Sequence, residues 1–470
     1  MTADDLVVLL EHLEGDLVAV LLGVLREAPD VAEEDGDGRA HRGGARGRRH
    51  TTHIIEHTAE AQSYSTPMAG VPRGLRALAH RDFRLFIAGQ LVSLIGTWMQ
   101  SVGQAWLVLE LTNSPFRLGM IGSLQFGPML LFSFVAGAVS DRVRKRRLIL
   151  GTQTVLMLQA LALAVLVASG HVQYWHVAVL ATVYGIANTF DMPARQAFVA
   201  DLVGKNDLMN AIALNSAMFN GARVIGPAAA GLLVARWGEA AAFFVNAASF
   251  VAVIIALLAV RNDGLPRPRR RNHLVAEIAE GVRYAVGTPV VALVFGLLLT
   301  VSLFVINYNV FVPLIARDVL GEGAHGFGLL MAALGAGAVM GALVMAVLNQ
   351  PWPSRPMVIV PALVLSIATI ALGAVHRFAP TAGLLAVIGL AQILFMTSCN
   401  TTVQITVPDE LRGRLMSLYA MVFVGMTPIG SFLVGTIAEH AGVATACMTG
   451  GAAGLVSIVA LSVAARRRRV

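Results

Sequence analysis

The sequence predicts an all-α polytopic membrane protein with twelve transmembrane helices in two pseudo-symmetric six-helix bundles. Three observations carry this reading. Charged residues make up 13% and apolar residues 56% of 470 positions, with a mean hydropathy of +0.70, whereas ordinary soluble domains carry about 25% charge. Apolar runs of about 20 residues, the length needed to cross the hydrocarbon, recur along the chain. The two halves also share polar and proline landmarks at a six-helix shift. This composition excludes a typical soluble enzyme, and it sets aside nucleic acid as a partner although the isoelectric point is about 10.0.

Residues 1–67 stand apart. They hold 6 Lys/Arg and 13 Asp/Glu, against 29 and 15 in the remainder. The apolar run 6–25 is interrupted by Glu11, Glu14 and Asp16 and lacks a basic stretch before it. It therefore fits an amphipathic surface helix better than a signal peptide or a span. The acidic stretch Glu33–Asp37 and the Gly/Arg/His-rich stretch 38–50 cannot build a core. His53-Ile-Ile-Glu56-His57 has the spacing of a His-x-x-Glu-His metal motif, but its low-complexity setting reads as chance. Met68 opens a conventional start, with Arg73, Arg76, Arg81 and Arg84 ahead of the first run. Residues 1–67 are expected to be a start-site extension or a disordered cytoplasmic tail.

Apolar runs fall at 85–108, 117–139, 147–169, 174–197, 210–235 and 240–260, and again at 289–313, 325–348, 356–375, 380–404, 415–436 and 443–464. The longest interior polar segment, 261–288, separates the two sets. It carries Pro266, Pro268 and Arg269–Arg271, and its later part, Leu274–Ala285, suits a short amphipathic helix on the cytoplasmic face. The expected organisation is a first bundle at 68–260, a linker at 261–288, a second bundle at 289–465 and a basic tail at 466–470. With the start placed inside, 24 basic residues fall on the cytoplasmic side and four, Arg117, Arg236, Arg317 and Arg377, on the other. The positive-inside rule then puts both termini in the cytoplasm. Arg outnumbers Lys by 33 to 2, which suggests a GC-rich bacterial genome and a bacterial inner membrane. The lipid bilayer is the expected surround, and a monomer the expected working unit.

The halves look related. Gln196-AFVA-Asp201 reappears as Gln404-ITVP-Asp409, and Pro227 has a counterpart in Pro428. Tandem six-helix halves point to a site between them near mid-depth. Polar stripes support such a site. The first span carries Gln90, Ser93, Thr97, Gln100 and Gln104 on one helical face, and Trp98 beside them. The fourth carries Tyr184, Asn188, Asp191 and Arg195, and the fifth Ser216, Asn220 and Arg223. Asn307 and Asn309 lie in the seventh, and Asn400 and Gln404 in the tenth. Such residues facing lipid would be costly, so they either line a shared water-accessible cavity or bond neighbouring helices together. Asp191, Arg195 and Arg223 are the clear charges inside spans. Asp191 either forms a fixed pair with Arg195 or exchanges it, for Arg223 for example, while taking up and releasing a proton.

The loop after the second span reads Gly137-AVS-Asp141-Arg142-V-Arg144-Lys145-Arg146-Arg147. This resembles the signature loop of the major facilitator superfamily, Gly-x-x-x-Asp-Arg-x-Gly-Arg-Arg, matching at Gly137, Asp141, Arg142, Lys145 and Arg146. Arg144 stands where the second glycine is usual. RDFRLFIAGQLVSLIGTWMQ (81–100), FDMPARQAF (190–198), GPAAAGLL (226–233), GLLMAALGAGAVMGAL (328–343) and LRGRLMSLYAM (411–421) extend the resemblance over residues 81–437. They are similar to bacterial exporters of the group that includes the enterobactin exporter and related multidrug effluxers. Gly226, Pro227 and Gly231 resemble the fifth-span signature of drug:proton antiporters, which implies close packing and a bend at the proline. The loop's resemblance implies a conformational latch in which Asp141 pairs with arginines or a helix terminus.

The chain is therefore expected to be no enzyme but a secondary transporter. It would export small amphipathic molecules, such as a siderophore, secondary metabolite or drug, by alternating access and proton antiport. No Gly-x-x-x-x-Gly-Lys-Ser/Thr run occurs, so no nucleotide or other cofactor is expected and a proton gradient would supply the energy. Met192 joins Trp98 as a candidate apolar wall for the small-molecule substrate, and the balance of Asp191 against two arginines leans toward anionic or neutral cargo. An importer or symporter of the same fold, or a non-transporting scaffold or receptor, are the alternatives.

Overall fold

The computed structural model describes residues 73–264, 274–348 and 355–467. The head 1–67, the motif His53–His57, the linker residues Pro266, Pro268 and Arg269–Arg271, and the tail 468–470 lie outside the described residues. After a short 3-10 turn at Arg73–Ala79, thirteen α-helices follow among the described residues: α1 Arg81–Thr112, α2 Pro115–Arg142, α3 Lys145–Ala168, α4 Tyr174–Trp237, α5 Glu239–Ala259, α6 Leu274–Gly287, α7 Pro289–Phe304, α8 Tyr308–Leu314, α9 Ala324–Leu348, α10 Arg355–Ala374, α11 Phe378–Thr406, α12 Asp409–Gly425 and α13 Thr427–Arg467. No strand occurs among the described residues.

Local sequence explains where the helices begin and end. Ser114 caps α2 by accepting from the Arg117 N–H at 3.2 Å, with Pro115 in the first turn, where its missing N–H is no loss. Asn113, at φ 50°, closes α1 in the left-handed region that asparagine tolerates better than most residues. Two helices are longer than one crossing requires. α4 has 64 residues, or roughly 96 Å at about 1.5 Å per residue, about three times the hydrocarbon thickness. It is broken at Gly204, at φ 71° and ψ −178°, a conformation open to glycine and strained for other residues. Gly442, at φ 83°, breaks the 41-residue α13 in the same way.

These breaks reconcile the twelve expected spans with the helices seen. Nine helices among the described residues are long and apolar enough to cross a membrane, and α2 makes ten if its two arms, bent by 64°, are one span. Two of these, Tyr174–Trp237 and Leu411–Ala465, each contain an internal break and enough length for two crossings. Twelve crossings are compatible with this set. The differences from the sequence expectation are that the fourth and fifth spans run on as one helix interrupted at Gly204, and that the later part of the eleventh span runs on into the twelfth within α13, interrupted at Gly442.

Packing repeats across the chain. In the first part α1 lies on α5, α2 on α4, and α3 on both α4 and α5; in the second part α7 lies on α13, α9 on α11, and α10 on both α11 and α13. The two sets meet through α2 against α13 and α4 against α9. Edge-to-face packing of Phe86 on Phe198, at 5.4 Å between ring centres, anchors α1 to α4. An apolar core runs through α7–α11 into the meeting ends of both sets, and includes Phe311, Phe327, Leu334 and Phe395.

Candidate functional site

The two helix sets are sealed together at one end. A Cβ at Gly435 of α13 would stand 3.0 Å from the Cα of Gly119 on α2, and one at Gly231 of α4 would stand 3.1 Å from the Cα of Gly328 on α9. Glycine faces, which carry no side chain, let the backbones approach this closely. Polar groups complete the seal. Glu439 accepts from Ser114 Oγ at 2.8 Å and from the Phe116 N–H at 3.0 Å, and Ser123 Oγ donates to the Pro428 carbonyl at 2.6 Å. Phe116 meets Phe432 edge to face at 5.6 Å, and Trp106 stacks on Phe327. Gly226, Pro227 and Gly231, singled out as a bend motif, are all buried in this packing. Gly226 abuts the Trp98 side chain and the Ile95 carbonyl.

Toward the other end, the end of the Arg142–Arg147 loop, α4 opens out. Its buried residues Ala222, Gly226, Pro227, Ala230, Gly231 and Val234 give way to a stretch in which Ile212, Ala213, Asn215, Ser216, Ala217 and Phe219 are all exposed. α4 carries two charged centres, one before the Gly204 break and one where the packed portion gives way to the open one.

The first is Asp191, fully buried on α4. Thr152 Oγ1 donates to its Oδ1 at 2.7 Å, and Gln153 Nε2 to the same oxygen at 3.1 Å. Arg195 Nε lies 2.6 Å from Oδ2, one helical turn away. The i,i+4 spacing read from the sequence brings this pair together. Arg195 reaches further, donating from Nη1 to Gln90 Oε1 at 2.7 Å on α1, and its side chain is 24% exposed where Asp191 is 0%. Two hydrogen-bond donors and one ion pair thus hold the carboxylate, and its cation is the member of the network in reach of the surroundings. Proton transfer to Asp191 would require Arg195 to move aside.

The second is Arg223. Its Nη2 donates to Gln392 Oε1 on α11 at 2.9 Å, and its guanidinium carbon stands 5.9 Å from the centre of the Trp98 ring. Phe219 meets that ring edge to face at 6.0 Å. Arg223 is not bonded to Asp191 in this conformation.

The expected cavity residues divide. Gln90, Ser93, Gln100 and Gln104 are buried. Gln100 donates to Gln159 at 3.1 Å and accepts from Asn246 at 2.6 Å, and Gln104 donates to Gln125 at 3.1 Å. Here these amides bond helices to one another. Asn307 is also buried, donating to the Leu303 carbonyl at 2.9 Å where the chain breaks between α7 and α8. Thr97, Trp98, Tyr184, Asn188, Met192, Asn220 and Asn400 are half-buried, while Ser216, Asn309 and Gln404 are exposed. Asn220 donates to the Ser216 carbonyl at 2.9 Å, and Gln404 to Asn400.

The basic loop is placed differently from a clasp across the two sets. Arg146 Nη1 pairs with Asp263 Oδ1 at 2.9 Å, and Arg144 Nη1 with Oδ2 at 3.0 Å. Arg146 also donates to the Leu257 and Leu258 carbonyls, and buried Lys145 pairs with Asp201 at 2.9 Å. All these partners belong to the first helix set. The Arg146 hydrogen bond, with help from Arg144, holds the Asp263 carboxyl below its ordinary value. Asp141 forms no hydrogen bond or ion pair with a described residue, Arg142 is exposed, and the space around Gly137 is open.

Sequence reading missed Gln392, Thr152, Gln153, Gln159, Asn246 and Asp263. Gln392 had a signal: it lies eight residues before Asn400, close to the same helical face. Thr152 and Gln153 are neighbours in a largely apolar run that also holds Gln159, Asn246 sits in a second such run, and Asp263 lies at a helix exit.

A family model described as transmembrane secretion effector matches residues 73–469. The chain belongs to this family, a branch of the major facilitator superfamily. It is 27% identical to the multidrug efflux pump Tap of Mycolicibacterium fortuitum, over 76% of this chain and 89% of that protein. It is likewise 27% identical to the staphyloferrin A transporter of Staphylococcus aureus, over 77% and 90%. The enterobactin exporter EntS of Salmonella choleraesuis is 25% identical, over 83% and 94%. Among solved structures, the nucleoside transporter NupG superposes with a TM-score of 0.65 at 11% identity, over 81% of this chain and 98% of that one. A bacterial homologue of the lysosomal transporter Spinster gives 0.62 at 13%, over 85% and 96%. The fold is that of a major facilitator transporter, and the chain is a membrane transporter of this superfamily.

Proposed function

We propose that this transporter exports small amphipathic molecules from the cytoplasm by alternating access, driven by proton antiport, as a monomer in the bacterial inner membrane. The observation that carries the reading is the contrast along α4 and its neighbours: glycine-seamed and sealed at one end, open at the arginine-rich end, with Arg223 where the one gives way to the other. The positive-inside rule assigns the arginine-rich end to the cytoplasm, so the conformation described is the one that loads from inside. Relatives named for efflux and export support the direction. Asp191 is the proposed proton site, with release of Arg195 as the event that exposes it. Asp141 and the loop arginines are proposed to clasp the second helix set only when the cytoplasmic end closes, which fits an Asp141 that pairs with none of the described residues in the conformation seen.

The test uses inverted membrane vesicles with an acidic interior and a panel of siderophores and drugs. Accumulation of a panel compound inside these vesicles, abolished by a protonophore, is the expected result. Accumulation only in right-side-out vesicles would replace export with import. Absence of transport in both, with no counterflow of any labelled compound, would favour the scaffold.

A further inference from the structure

Resting on the reading that the two helix sets enclose a transport site, we propose that Arg223 is the docking point for an anionic group on the transported molecule. A guanidinium stays protonated in proteins, and a cation at mid-depth in a membrane protein is costly unless something compensates it. Two other basic residues of the first helix set have such compensation: Arg195 lies on Asp191 and Lys145 on Asp201. Arg223 does not. Among the described residues its hydrogen-bond partner is the neutral amide of Gln392, and the groups that face it, the Trp98 ring and the Tyr308 phenol, are neutral as well. Asp191 already receives Thr152, Gln153 and Arg195.

Geometry adds to charge. Only one nitrogen of the guanidinium, Nη2, is engaged with Gln392, which leaves most of its N–H fork free for the paired oxygens of a carboxylate or similar oxyanion. Arg223 lies on α4 where the helix passes from sealed to open, with its backbone against Gly335 of α9. One turn toward the open end, Phe219 is 44% exposed beside Trp98. An organic anion with an apolar or aromatic body would thus place its charge on Arg223 and its body against Trp98 and Phe219. Gln392 belongs to the opposite helix set, so an anion held between it and Arg223 touches both sets at once. That is the placement from which a bound molecule can bias their relative motion.

The experiment is isothermal titration of the purified full chain with 2-naphthoate, its methyl ester and 2-naphthylmethylamine, which share one body and differ in charge. The wild type should bind the carboxylate at least about tenfold more tightly than the ester, and the amine no better than the ester. Arg223→Gln should erase the preference, and Arg223→Lys, which keeps the charge without the fork, should retain part of it. Monodisperse elution of both variants separates this loss from misfolding. A wild type that does not favour naphthoate, or a preference that survives Arg223→Gln, would overturn the proposal and leave Arg223 as a clasp to Gln392. Binding is measured without a gradient, so the two readings fail separately. An intact anion preference without vesicle transport would sink export, whereas transport without anion preference would sink the docking role.

Discussion

Asp263 ties the loop after α2 to the exit of α5, and the hydrogen bond from Arg146, reinforced by Arg144, depresses the proton affinity of its carboxyl. The folded protein therefore takes up that proton less readily than the unfolded chain does. The tether is fully present above the ordinary aspartate value of about 3.9 and is lost as pH falls through the lower folded value. Both arginines and the aspartate remain in contact with solvent, so salt will weaken the effect. In thermal unfolding at low salt, the wild type should melt above Asp263→Asn at neutral pH, and the gap should close below about pH 4. A gap that is constant with pH would show that Asp263 acts through packing and not through its charge.

At the scale of helices, the sealed end depends on backbones that approach without side chains between them. A Cβ at Gly328 would fall 2.5 Å from the Pro227 carbonyl oxygen and 2.7 Å from the Cα of Gly231. Neither backbone atom can swing away. Gly328→Leu should separate α9 from α4, cost about 1–3 kcal/mol as overpacking does, and remove transport with the seal. Gly137 makes the contrast: nothing lies within 4 Å of a Cβ placed there, so Gly137→Ala should leave thermal stability unchanged or raise it by up to about 1 kcal/mol through helix propensity. Melting temperatures of the two variants in detergent check both statements. Normal stability and transport in Gly328→Leu would mean that the seam carries no part of the closure.

For the whole molecule, much was legible in the sequence because the bilayer imposes it. Long apolar runs must be helices when no water is available to the backbone, and the shared Pro227 and Pro428 marked two related halves. The Asp191–Arg195 pair was legible too, since i,i+4 spacing on one helix fixes the distance. Less was legible where partners come from different helices. Gln100 meets Gln159 and Asn246, and Arg146 meets Asp263 over a separation of 117 residues; spacing along one helix says nothing of such meetings. The same limit explains the cavity list, in which helical faces were identified but not whether each face meets a neighbour or open space.

A buried carboxylate, released by its arginine, is proposed to couple protons to export. The most direct measurement follows a pH-sensitive dye in inverted vesicles with an acidic interior, on addition of the panel compound that the wild type moves. Dye recovery in the wild type, lost in Asp191→Asn while that variant folds and binds the compound, is the predicted result. Recovery that persists undiminished in Asp191→Asn would contradict it and move the proton site elsewhere.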